Sequence, residues 1–409
     1  MASVSPESNP IGYLRSAEAI RARCKEVYDL GVAGKLDHFI VRPERLDWLA
    51  GMVKGETLTN YPALDVPYHS RWRHFNAGGV DRVSGIHDLL AKLTPADRCR
   101  AKIELAIVSV LLDAGAGATW GYQDVDTGVR HQRSEGLAVA SVYAFWNGVF
   151  GGPLTVSSTK LKALSVEELG QAFQVRPENA LVGLEGRCAM LNTLGQVIEG
   201  QSQYFKGRPG RLGGMLEPIV ALGDGSSVEA SALLSFILEA LADIWPGRII
   251  LEGKNLGDVW PHSKVGGAGK TKGLVPFHKL SQWLTYSLLE PLEEFGIAVK
   301  NLDSLTGLAE YRNGGLFIDG GALLLKDPSA ASVIHAPGSE LIVEWRALTV
   351  ILLDHVAQRM RTAMGKTAAE LPLAKVLQGG TWTMGRKLAS GGRSDGSPPL
   401  RIQSDGTVF

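Results

Sequence analysis

Apolar residues along this chain recur mostly at helical spacing. After Thr94-Pro95, the positions Cys99, Ile103, Leu105, Ile107 and Val110 keep the three-to-four-residue period of a helix with one inward face. Threonine caps well, and proline suits the first turn, where an amide would lack a partner anyway. The pattern predicts a helix from Pro95 to Asp113, stopped by Gly115. Ser165 with Glu168, and Ser226 with Glu229, have capping-box spacing. The second pair predicts a helix over 230–245, ended by Pro246-Gly247. Pro276 is expected to open another, through Phe277, Leu280, Trp283 and Leu284 to about Phe295. A long last helix is expected from Gly338-Ser339 to Met364. Strand signals are few. Residues 316–318 and 322–325 flank Asp319-Gly320-Gly321 and read as a hairpin or a strand–turn element. The expectation is a mainly α fold: one large helical domain over 1–389 with a small β-hairpin insert. The Gly/Ser-rich end, 390–409, is expected to be a mobile tail.

Composition narrows the class. With 45% hydrophobic and 21% charged residues, the 409-residue chain should bury a core. Lys plus Arg and Asp plus Glu both number 42, so no general attraction to nucleic acid or anionic lipid is expected. The stretch 341–356 is apolar but carries Glu344, Arg346, Asp354 and His355, which argues against a membrane span. Residues 1–10 lack the apolar run of a secretory signal. Cys24, Cys99 and Cys188 are odd in number and show no CxxC spacing, which fits a reducing, cytoplasmic setting.

Several short motifs fail on inspection. Gly266-Gly267-Ala268-Gly269-Lys270-Thr271 ends like a P-loop, but Lys264 stands where that pattern needs its first glycine. No HxH, HxxxH or HExxH spacing occurs, so no local metal site is expected, and no GxSxG elbow is present. Four clusters hold more chemistry. Arg71, Arg73 and His74 lie among Trp72 and Phe75, a composition suited to a phosphate beside a planar ring, or to a solvated basic surface. Asp113 falls at a helix C-terminus, where the dipole disfavours a carboxylate; it either serves a site or caps the Gly115 and Gly117 turn. His278, Lys279 and Gln282 form a polar stripe that lines a ligand or faces solvent. Glu310, Tyr311 and Arg312 precede Gly314-Gly315, as a site on a turn or as a surface ion pair.

Longer stretches carry a resemblance. "SRWRHFNAGGVDR" (70–82), "LLDAGAGATWGY" (111–122), "SEGLAVAS" (134–141), "LVPFHKLSQWLTYSLLEPLEEFGI" (274–297) and "LTGLAEYRNGGLFIDGGALLL" (305–325) resemble the uracil catabolism proteins. These form the fourth component of a pathway that converts uracil to its ribonucleotide, opens the ring and releases urea. The stretch 264–272 departs from the pattern as an insertion. "PFHKLSQWLTYSL" followed by "LTGLAEYRNGG" is similar in order to segments of the queuosine salvage nucleosidases, helical N-glycosidases related in fold to DNA glycosylases. Their acidic-Tyr-Arg motif falls on Glu310, Tyr311 and Arg312, with Glu in place of Asp. Ser287 stands near the place of a further acidic residue.

The resemblance implies an N-glycosidase that splits urea from ribose, free or phosphorylated. Glu310 would stabilise the cation or activate water, and Asp113 would be the acid. Arg71, Arg73, Lys279 and Arg312 would read a 5′-phosphate. His74, His278 and Gln282 would contact substrate, and Trp120 and Tyr311 would wall it. The expected partner is a small nucleotide-derived substrate, with no nucleic acid, membrane, metal or organic cofactor. The alternatives are an amidohydrolase acting on a ring-opened pyrimidine nucleotide and a non-enzymatic carrier of an intermediate.

Overall fold

The computed structural model describes residues 6–245, 248–267 and 269–403. They gather into two compact units. The first is built from the described residues of 6–69, 248–282 and 301–403; the second holds 70–245 and 283–300. The fold is mainly α, as the periodicity predicts, with short two-stranded sheets.

The first unit is organised by the 25-residue helix Glu340–Met364. It is buried all round from Leu341 to Leu353, turns a polar face outward over its last turns, and packs against the helices Ala17–Val32 and Leu46–Asn60. A helical stretch with no exposed face belongs in a core. Its buried charges are therefore met by partners: the Glu344 carboxylate accepts from the Asp37 and His38 amides, both at 3.1 Å. The helix Tyr311–Asp319 lies against Trp382–Gly392 and against Trp345. Glycine permits that approach, since a Cβ at Gly314 would come within 2.7 Å of the Trp345 ring. The Trp345 indole donates to the Gly314 carbonyl at 3.0 Å.

The second unit is built on two buried helices, Pro95–Leu111 and Arg133–Trp146. Thr94 caps the first by accepting from the Asp97 amide, and Ser165 caps Val166–Ala172 through the Glu168 amide. Pro291 lies inside the helix Lys279–Phe295 and cannot donate to Ser287 four residues earlier. The Trp72 indole takes that place, donating to the Ser287 carbonyl at 2.9 Å. A helix-breaking residue is thus absorbed by a tertiary hydrogen bond.

Other expectations are corrected. Residues 316–318 are helical, within Tyr311–Asp319, and Leu323–Leu325 pairs antiparallel with Phe39–Val41 rather than in a local hairpin. Residues 316–318 serve a helix, and the strand that pairs with 323–325 is remote in sequence. Hairpins occur elsewhere, at Gly121–Gln123 with Arg130–Gln132 and at Val259–Pro261 with Leu274–Pro276. Pro276 ends a strand, and the helix begins at Lys279. Ser226 and Glu229 form no capping box. Ser227–Glu229 pairs in parallel with Ala298–Lys300, and Asp224 holds the turn by accepting from the Ser226 and Ser227 amides. The helix Ala230–Ala240 ends before Pro246 and Gly247, which lie outside the described residues. The long helix is not the last, since Leu373–Val376 and Trp382–Gly392 follow. Within 390–403, Arg393 pairs with Asp319 and Arg401–Ile402 pairs with Ile334–His335; 404–409 lie outside the described residues.

Candidate functional site

The sequence-predicted residues divide between the two units, and Glu310 and Asp113 do not share one. In the first unit, Glu310 is the N-cap of Tyr311–Asp319. Its two carboxylate oxygens accept from the Arg312 amide at 2.7 Å and the Asn313 amide at 2.5 Å. Burial pushes its pKa up; the two amides, the Lys279 ammonium and the Arg312 guanidinium oppose this without cancelling it. A carboxylate offers about four lone-pair sites, so two amides leave it further acceptor capacity. The Arg312 side chain does not pair with Glu310. It donates to the Gly396 carbonyl at 2.8 Å and lies over the Tyr311 ring.

Lys279 begins its helix beside a strained neighbour, His278, whose φ is +48°. A buried anchor holds this corner. Arg346 forks onto Asp258 at 2.8 and 2.7 Å, and the same carboxylate accepts from the Lys279 amide at 3.0 Å and the Trp260 indole at 2.7 Å. Burial would raise the Asp258 pKa, but Arg346 and these donors hold it well below the carboxylate range. The ion pair fixes where the Lys279 side chain starts. His278 is buried, with Nε2 2.8 Å from the Leu14 carbonyl. Gln282 clasps Thr306, accepting from its amide at 2.9 Å. The stripe is therefore structural at His278 and Gln282, and Lys279 alone of the three faces Glu310 electrostatically.

In the second unit, Arg71 is fully buried and pairs with Asp113 at 2.8 Å. Ser134 donates to both Asp113 oxygens, at 2.7 and 2.9 Å. Arg71 also donates to Ser109 at 2.8 Å and to the Ser134 hydroxyl at 2.9 Å. Arg187 grips the turn after Asp113 through the Ala114 and Gly115 carbonyls. Asp113 thus meets Arg71 and Ser134 at the head of this turn. Arg73 pairs with Glu290, which also accepts from Ser70 at 2.6 Å. Both guanidiniums are compensated by carboxylates, which gives no support to a shared phosphate site at Arg71 and Arg73. His74 stands 5.7 Å from the Trp283 ring. Trp120 is a core residue, donating to the Phe173 carbonyl and stacked on its ring. Ser287 is structural too, bridging the Trp283 carbonyl and the Arg71 amide.

The glycine-rich stretch 264–272 is stapled down. Arg23 donates to the Gly266 carbonyl at 2.8 Å and the Thr271 hydroxyl at 3.1 Å, and the Gly266 amide donates to Glu26. Lys264 pairs with Asp37 and Lys270 with Glu252, so neither lysine is aimed at a bound phosphate; Ala268 lies outside the described residues. Among the described residues no group of three His, Cys, Asp or Glu is placed to hold a metal ion. Among the same residues no helix is long and apolar enough to cross a membrane.

Asp258 and Arg346, which hold the Lys279 corner, are not among the candidate residues of the sequence. The signal for Arg346 was present: a charge inside an otherwise apolar helix needs a buried partner.

The family described as "Protein of unknown function (DUF1688)" matches residues 13–409. Protein urg3 of Schizosaccharomyces pombe is 37% identical over 412 residues, covering 98% of this chain and 99% of that protein. Uracil catabolism protein 4 of Lachancea kluyveri is 36% identical over 440 residues, again covering 98% and 99%. Matched nearly end to end by both proteins and by the family, this chain is a member of the DUF1688 family, to which its resemblance to the uracil catabolism proteins pointed.

Proposed function

We propose that the protein acts in uracil catabolism as an N-glycosidase, hydrolysing a ribosylurea, free or 5′-phosphorylated, to urea and ribose or its phosphate. The observation that best supports this reading is the buried Glu310 carboxylate, fixed by two amides at a helix N-terminus with the Lys279 ammonium acting on it. Breaking the anomeric C–N bond builds positive charge on the sugar. A dehydrated carboxylate that cannot swing away stabilises that charge more in the transition state than in the ground state. Its remaining acceptor sites orient the incoming water. Water adds its oxygen to the anomeric carbon, the C–N electron pair leaves with nitrogen, and a proton completes urea. Urea is a poor leaving group, so a donor must assist it. Lys279 takes that role in place of Asp113, whose oxygens accept from Arg71 and Ser134 in the other unit.

Purified protein incubated with ribosylurea, and separately with its 5′-phosphate, should release urea and the matching sugar in equal amounts. Cleavage of a ring-opened pyrimidine nucleotide with the urea–ribose bond intact would replace this reading with the amidohydrolase one. Binding of either compound without turnover would make the protein a carrier.

A further inference from the structure

The chain between the strand Leu323–Leu325 and the helix Glu340–Met364 walls a cavity of about 470 Å³ in the first unit. That volume falls in the range of small-molecule sites. None of the lining residues belongs to the Glu310 and Lys279 corner.

Ser339, Glu340 and Leu341 form one wall, so the cavity meets the N-terminus of the 25-residue helix. The amides of Glu340, Leu341 and Ile342 have no acceptor four residues back, and the aligned peptide dipoles place positive potential at this end. Ser339 has the extended backbone of an N-cap, φ −64° and ψ 144°, yet its side chain makes no capping hydrogen bond. A serine here ordinarily accepts from a first-turn amide. Its Oγ is instead buried and bonds to none of the described residues. One helix end thus leaves both its amides and a buried hydroxyl unserved by the protein.

Lys326 stands on another wall. Its ammonium donates to the Leu36 carbonyl at 2.5 Å, and no carboxylate among the described residues pairs with it. Two of its three hydrogens are uncommitted. His38 and His335 also line the cavity; His335 Nε2 lies 2.8 Å from the Ala330 carbonyl, which leaves Nδ1 unused. The carboxylates of the lining are engaged elsewhere. Asp37 pairs with Lys264, Glu340 accepts from the Ser263 amide at 3.0 Å, and Asp327 accepts from the Ser329 amide at 2.9 Å and its hydroxyl at 2.7 Å. What remains is a set of donors, and a donor set at a helix N-terminus suits an anion. Leu325, Val333 and Leu341 add apolar surface for an organic remainder.

We propose that this cavity binds a phosphate group, free or as a small phosphomonoester, through the first-turn amides of the Glu340–Met364 helix, Ser339 and Lys326. Three terminal oxygens and nearly two charges use this many donors better than a planar carboxylate does. The site is separate from the reaction assigned to Glu310, and its test needs no turnover.

Titration calorimetry on the full-length protein takes inorganic phosphate, ribose 5-phosphate and acetate as probes. Phosphate should bind saturably, with acetate much weaker. Lys326→Met should weaken binding about 10-fold, the worth of one charge-assisted hydrogen bond. Ser339→Asp keeps a good cap and fixes an anion at the helix end. It should hold or raise the melting temperature while abolishing phosphate binding, so the loss is not a loss of fold. Lys270→Met, in the glycine-rich stretch and away from this cavity, should bind as wild type does. Tighter binding of ribose 5-phosphate that Ser339→Asp abolishes marks a monoester as the ligand; equal or weaker binding marks free phosphate. Four results would each overturn the assignment: no saturable binding of either phosphate compound, acetate binding as tightly, an affinity unchanged in Lys326→Met or Ser339→Asp, and an affinity lost in Lys270→Met.

Discussion

Glu310→Gln separates a capping role from a chemical one. Both carboxylate oxygens accept from backbone amides. In the glutamine variant one becomes an NH2 group facing an amide N–H, and that donor loses its partner. An unsatisfied buried donor costs about 1–3 kcal/mol. Burial also disfavours the glutamate charge, and the neutral side chain recovers some of that penalty. The net loss of stability should be about 1 kcal/mol, in the range of a lost N-cap, which lowers the melting temperature by only a few degrees in a chain of this size. The variant should stay folded at 25 °C, so stability would not limit turnover there. If the carboxylate stabilises the sugar cation, kcat should fall by about 100-fold or more, roughly 2.7 kcal/mol of transition-state stabilisation, with KM nearly unchanged. Glu310→Asp is the control. Aspartate caps as well or better, so stability should hold, while the retracted carboxylate should cost part of kcat. The assay is urea release from ribosylurea, run beside thermal melts of all three proteins. A Glu310→Gln protein with near-normal kcat and a lowered melting temperature would refute the reasoning, leaving Glu310 as a cap and nothing more.

Three further outcomes are expected. Trp72→Phe removes the donor to the Ser287 carbonyl that Pro291 cannot serve; denaturant unfolding should show a loss of about 1–3 kcal/mol, and unchanged stability would mean the kink needs no outside partner. Burial acts to raise the Asp124 pKa, but Tyr143, Thr127, the Asp126 amide and Arg82 outweigh it and hold the carboxyl at about 2 against an ordinary 3.8. A depressed pKa stabilises the fold above the unfolded value, so Asp124→Asn should cost about 2 kcal/mol at pH 7, and the gap to wild type should close as pH falls from about 4 to 2; a gap constant with pH would contradict this. Dialysis against a strong chelator should leave urea release intact, whereas activity lost there and restored by zinc would show that the reaction needs a metal.

The sequence disclosed the helices where local chemistry and tertiary packing agree. Thr94-Pro95 and Ser165 are caps that need nothing from the rest of the chain, and both cap as read. The misreadings occur where the same local signal serves two conformations. Residues 316–318 are β-prone and end in Asp-Gly-Gly, yet the Tyr311–Asp319 helix forms because its apolar face packs on Trp345 and on Trp382–Gly392. Ser226 and Glu229 have cap spacing, but the pairing of Ser227–Glu229 with Ala298–Lys300, a partner some 70 residues away, decides the backbone there. Pairing at that distance leaves no trace in a local window.

The site was legible where a residue's type alone implies a problem to solve. A glutamate before Tyr-Arg and two glycines marked Glu310, and the structure supplies what spacing could not, two amides that hold the carboxylate still. Arg71 and Asp113 were marked equally well as unusual charges, but each turned out to be the other's partner. Sequence reports that a buried charge needs compensation; it does not report whether the compensation is a protein group or a substrate. Asp258 shows the converse. No motif marks it, and its partner Arg346 lies 88 residues away. Groups that fix the start of another side chain, as this ion pair does at the Lys279 amide, are found only when the fold brings them together.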